Sequence, residues 1–155
     1  MSIKIDLKIF LFAIIFWFTN QIEIYALLMI LALIHECGHL VCGICLGLKP
    51  SSMKITPVGF QILFKNYIQD YNTKVRKGNE VCIKKIAIAF AGPLVNIFIA
   101  IIAFFMPQNM AISKETLIYA NRMLAMFNLL PIYPLDGGRI LKEIVAIKKR
   151  KKKCI

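Results

Sequence analysis

The sequence contains only two histidines, His35 and His39, and only eight acidic residues against 20 Lys and Arg, a formal net charge of +12. With so few ligand-type side chains there is no succession of metal sites along a path, which a membrane metal carrier would need. The five cysteines, Cys37, Cys42, Cys45, Cys82 and Cys154, are an odd set, and three of them sit in one apolar segment as small hydrophobes, so no disulfide framework is implied. Cys42 and Cys45 form a CxxC, but no second cysteine pair follows at zinc-site spacing, and packing accounts for them. The first apolar run is followed by Asn20 to Glu23 and not by a small-residue cleavage site, so it is expected to remain in the mature protein. No internal repeat or separate soluble domain is visible.

Hydrophobic residues are abundant, at 59% of 155, and the mean hydropathy is +0.69. This composition marks an α-helical, multi-spanning membrane protein. Four apolar segments are expected: 7–18, closing on Phe16, Trp17 and Phe18; 24–48; 86–106, broken after it at Pro107; and 116–135, ending among Pro131, Pro134 and Asp136. The first is short for a bilayer that takes about 20 apolar residues to cross. Basic residues fall between and after these segments. The connection 49–85 holds eight Lys or Arg against Asp70 and Glu80, and the tail 140–155 carries the run Lys148 to Lys153, whereas the other two connections contain one basic residue, Lys114. The positive-inside rule then puts the loop, the tail and both termini in the cytoplasm, with about four transmembrane helices. It also explains the charge without nucleic acid, and the tail reads as a stop-transfer and anionic-lipid contact. Arg122 is expected to snorkel at the outer face.

Within the central connection, Ile55 to Phe64 is rich in β-formers around Pro57-Val58-Gly59. A short β-like hairpin between the second and third helices is expected there, at the membrane surface, followed by a charged piece to Glu80. The whole of 1–155 reads as one membrane-embedded domain.

The chemistry is concentrated in His35-Glu36-Cys37-Gly38-His39. Two histidines four apart lie one turn apart on one helix face and can share a metal ion. Glu36 is rotated by about 100° and is not expected to ligate; it is placed to act as general base toward water that a zinc ion activates. A charged group at the centre of an apolar span costs about 2.5–3.5 kcal/mol, and a metal is the simplest satisfaction of all three groups. A catalytic zinc site takes three protein ligands and an open position. The best third ligand is Asp136, at the cytoplasmic end of the fourth segment and at the same depth as His35 and His39. Gly137 and Gly138 let the backbone turn behind it, and Pro131 and Pro134 free carbonyls that lipid could not satisfy, which fits backbone lining a wet cavity.

Together, this HExxH and the run Asn128-Leu129-Leu130-Pro131-Ile132-Tyr133-Pro134-Leu135-Asp136-Gly137-Gly138-Arg139 resemble the site-2 protease family of intramembrane zinc metalloproteases, peptidase family M50. The nearest branch is the one containing the stage IV sporulation protease FB. Ala91-Gly92-Pro93 and Asn96 resemble the family's intervening span. The resemblance implies Zn2+ on His35, His39 and Asp136, Glu36 as catalytic base, and hydrolysis of a peptide bond in a membrane-tethered protein. It implies a substrate site shaped by Asn128, Pro131 and Pro134, with the 55–64 strand pairing with unwound substrate. Asn96 and Asn128 are the amide candidates for holding the oxyanion, while a helix-to-helix hydrogen bond is an equal reading of Asn96. Substrates compatible with such a site are a transcription-factor (sigma-factor) precursor, a membrane-bound anti-sigma factor or a leftover signal peptide. The additional spans and nucleotide-sensing domain of the sporulation branch do not follow the Asp motif here, so neither regulation by that domain nor the sporulation substrate is implied, and a regulatory membrane protein is one compatible partner. The alternatives are a membrane metal-binding or transport protein and a catalytically silent membrane binding module.

Overall fold

The computed structural model describes residues 2–5, 8–48, 50–56, 59–64, 75–107 and 113–152. Eight elements follow in order: β1 (Ser2–Ile5), α1 (Lys8–Phe18), α2 (Ile22–Cys45), β2 (Pro50–Thr56), β3 (Gly59–Phe64), α3 (Val75–Phe105), α4 (Lys114–Asn128) and α5 (Asp136–Lys152). The Pro57-Val58 step of the expected turn, the charged piece 65–74, positions 108–112 and the end of the tail at 153–155 lie outside the described residues.

Local chemistry accounts for the element ends. The α1–α2 turn passes through Asn20 at φ 56°, a left-handed conformation that asparagine tolerates. Phe16 and Tyr25 stack across that turn with ring centroids 4.8 Å apart. α2 stops at Gly47, φ 81°, whose N–H and that of Leu48 return to the carbonyls of Ile44 and Gly43, the glycine-terminated cap of a helix C-terminus. Ser113 caps α4, its hydroxyl accepting from the Thr116 N–H at 3.2 Å.

α3 is the central element and packs against α2, α4 and α5. Its interior positions are small: Ala89, Ala100 and Ala103 are buried, as are Ala120 and Ala125 of α4, which lets helix backbones approach. The closest approach of α2 is at Gly38, where a Cβ would lie 2.8 Å from Val95 Cγ2 and 3.0 Å from the Ala91 carbonyl oxygen. Leu27 and Leu31 of α2 form one apolar cluster with Ala120 of α4.

The expected fold class is corrected. In place of about four spanning helices, two among the described residues are long and apolar enough to cross a membrane, Ile22–Cys45 and Asn79–Phe105. α1 has 11 residues and α4 has 15, about 16 and 22 Å against a hydrocarbon core about 30 Å thick. The apolar run 116–135 was one segment only by hydropathy; its helix ends at Asn128, because Pro131 cannot donate to the ladder and disfavours helix just before it. The short β-like hairpin expected over Ile55 to Phe64 is corrected as well: the strands run over Pro50–Thr56 and Gly59–Phe64 and belong to a larger sheet. β2 and β3 are antiparallel neighbours within a three-stranded sheet of order β1-β2-β3, in which β1 pairs in parallel with β2, Ser2 opposite Ser52 through Ile5 opposite Ile55.

Candidate active site

His35 and His39 are buried on one face of α2, and Asp136, the first residue of α5, is buried against them. The His35 Nε2 lies 3.1 Å from Asp136 Oδ2, the His39 Nε2 3.2 Å from the same oxygen, and the two Nε2 atoms are 3.2 Å apart. Three such pairs among two imidazole nitrogens and one carboxylate oxygen cannot all be hydrogen bonds, since protons on both nitrogens would make the nitrogen pair repulsive. One cation in their midst satisfies all three. Tetrahedral zinc with donors at 2.0–2.1 Å sets its ligand atoms about 3.3–3.4 Å apart, so the triangle is already close to the size the ion needs.

The surroundings favour ligation. The His39 Nδ1–H donates to the Ile88 carbonyl of α3 at 2.7 Å, which leaves the Nε2 lone pair facing the cluster. Burial pushes the Asp136 carboxyl up, and the two histidines beside it more than offset this and hold it well below the usual carboxylate range; a carboxylate binds a metal as the anion. Arg139 Nη1 is 3.6 Å from the other carboxylate oxygen, Oδ1, so the two oxygens face different partners.

Backbone makes the walls. A Cβ on Gly92 would lie 2.5 Å from His39 Nε2 and 2.6 Å from His35 Nε2, so α3 reaches the cluster only because this residue has no side chain. Cβ atoms on Gly137 and Gly138 would meet the backbone of Leu129, Leu130, Ile132 and Tyr133; their absence lets the loop 129–135 fold onto the first turn of α5 and delivers Asp136 to α2.

The other sequence candidates are distributed around this centre. Glu36 is half-buried beside the cluster. Asn96 is fully buried in α3, and neither amide atom has a hydrogen-bond partner among the described residues. Asn128, the last residue of α4, donates from Nδ2 to the Leu124 carbonyl at 2.9 Å. Pro131 and Pro134 are exposed on the α4–α5 loop. Pro131 borders an open groove of about 460 Å³ with Tyr133, Gly138, Leu141 and Lys142, whose lining includes none of His35, His39 and Asp136. Sequence reasoning placed Gly92 only in the run that resembles the family's intervening span and Arg139 only in the Asp136 motif, and gave no role to the fully buried Asn121. The i, i+3 spacing of Arg139 from Asp136 was a usable signal, whereas Asn121, beside the exposed Arg122 in a mixed segment, gave none.

Three comparisons with known proteins bear on this geometry. A model of peptidase family M50 matches residues 23–113 and 109–154. The zinc metalloprotease MJ0392 of Methanocaldococcus jannaschii is 31% identical over 140 residues, 86% of this chain and 36% of the relative. Stage IV sporulation protein FB of Bacillus subtilis is 26% identical over 126 residues, 79% of this chain and 40% of the relative. The chain thus spans less than half the length of these curated relatives. Among solved structures, the site-2 protease from Methanocaldococcus jannaschii superposes with a TM-score of 0.70 at 28% identity, covering 97% of this chain and 71% of the other.

Proposed function

This chain belongs to peptidase family M50, and from that premise we propose that it is an intramembrane zinc metalloprotease of the site-2 type. Its substrate would be a membrane-tethered protein, cut in or near the bilayer-embedded part. The observation that carries the reading is the convergence of His35, His39 and Asp136, whose ligand atoms all lie within 4.8 Å of one another although Asp136 is 101 residues from His35. These three residues would hold the zinc, which when bound polarises the scissile carbonyl and lowers the pKa of water to about 7.

The chain's own residues supply the rest. The Glu36 carboxylate, half-buried next to His35 and outside the ligand triangle, takes a proton from the attacking water and returns it to the leaving amine. His39 is held to Ile88 and cannot rotate away. Arg139 balances the Asp136 charge. Asn128, with one amide N–H committed to Leu124, keeps a second for a substrate carbonyl, and Pro131 and Pro134 shape the rim that an unwound strand would cross. The unit works as a single membrane-embedded domain. The basic residues of the 49–85 connection and of α5, which meet at Lys85 and Glu143, favour a cytoplasmic position for the active-site face, and the substrate class includes transcription-factor precursors and anti-sigma factors. A metal-transport reading is disfavoured because this cluster is the one three-ligand group among the described residues.

The test is proteolysis by the detergent-purified chain of a reporter tethered by one apolar helix. Cleavage is expected to stop on treatment with a zinc chelator and to return with stoichiometric zinc. Cleavage that survives complete zinc removal would sink the mechanism, and a zinc-loaded chain inert on every tethered reporter would favour a binding role.

A further inference from the structure

The two histidines offer Nε2 to the same point, but only one has its other nitrogen satisfied. His39 Nδ1 is bonded to Ile88; His35 Nδ1 is buried with no partner among the described residues. An imidazole that ligates through Nε2 carries its proton on Nδ1, and buried N–H groups are almost always paired. His35 therefore requires an acceptor on the side away from the cluster.

Among the described residues, the buried side-chain oxygens left without a partner are those of Asn79, Asn96 and Asn121. Asn79 precedes Gly92 on α3 by about 20 Å of helix and is too remote. Asn96 follows Gly92 by one turn on the same face of α3, and that face is the one that meets His35 and His39. Asn121 adjoins Ala120, which packs with Leu31, and Leu31 precedes His35 by one turn of α2. Asn96 thus lies one turn of α3 from the metal cluster, and Asn121 lies on the stretch of α4 that shares an apolar cluster with Leu27 and Leu31, two turns and one turn before His35. Both have 0% exposure. The Asn121 Nδ2 is committed to the Leu117 carbonyl at 2.8 Å, which leaves its oxygen to face the interior alone.

We propose that Asn96 and Asn121 line an internal water site that accepts the His35 Nδ1–H, and that they are positioning residues for the metal centre. One water meets the valences: it accepts the imidazole N–H and donates its two protons to the two amide oxygens. His39 is oriented by backbone, His35 by this hydrated amide pair. The inference rests on the zinc reading of the cluster and extends it to residues outside the ligand triangle.

The test is zinc competition against a chelating dye, with the visible spectrum of the cobalt-substituted protein, for the native chain and for Asn96→Leu, Asn121→Leu and the corresponding serine variants. The leucine variants are expected to bind zinc about 10–100-fold more weakly and to shift the cobalt bands, with serine restoring most of the affinity. Where a leucine variant does not fold, alanine replaces it, and the alanine–serine difference of one hydroxyl is read in the same way. Folded variants with native zinc affinity and an unchanged cobalt spectrum would overturn the inference. A native chain that binds no zinc would overturn the reading beneath it, and the native titration alone detects that outcome.

Discussion

Replacing Glu36 with glutamine is expected to lower turnover of a tethered reporter by about 10²–10⁴-fold and to leave zinc content unchanged. The two halves of that expectation come from different observations. Zinc is kept because the ligand triangle is closed by His35, His39 and Asp136 without Glu36, and glutamine has nearly the same volume in a half-buried position. Turnover falls because the amide cannot accept the proton of the attacking water. Metal analysis and steady-state kinetics on one preparation check both halves. Loss of zinc would make Glu36 a ligand, and retained turnover would move the base elsewhere.

Gly92→Ala is expected to weaken zinc binding by about 10–100-fold, the scale on which disturbing the groups around metal ligands lowers affinity, in a chain that still folds. The added methyl would stand 2.5–2.6 Å from the two ligand nitrogens, so either the imidazoles or α3 must shift. α3 has little room to do so: it is held against α2 at Gly38, where the Ala91 carbonyl and Val95 already limit the approach, and Pro93 is fully buried beside it. Leu94→Ala, at an exposed neighbouring position, should bind zinc normally. The comparison is made by chelator competition with thermal melting as the control for folding. Native zinc affinity in a folded Gly92→Ala chain would mean that α3 does not wall the site.

These two predictions differ in how far the sequence foreshadows them. The convergence of His35 and His39 is legible because helix periodicity alone puts them on one face, and that of Asp136 because charge counting set it at the same depth. The run Ala91-Gly92-Pro93 is legible, but the walling of the site by Gly92 is not, since a residue without a side chain carries no pattern and that role arises only where α2 and α3 cross. Asn121 is hidden for a similar reason: its burial depends on α4 packing against α3 and not on its neighbours in sequence. Hydropathy also misjudged the fourth segment, because it scores the apolar residues 129–135 as helix while Pro131 and Pro134 turn them into the loop that carries Asp136. β1 has an alternating Ile3-Lys4-Ile5 pattern, but four residues at a chain end are too few to announce a strand, and only pairing with β2 makes them one.

Zinc-edge X-ray absorption of the purified native chain tests the central claim most directly. The account predicts one zinc per chain in a shell of nitrogen and oxygen donors only, at about 2.0–2.1 Å. A sulfur shell at about 2.3 Å, as Cys42 and Cys45 would give, or a chain that carries no zinc, would contradict it.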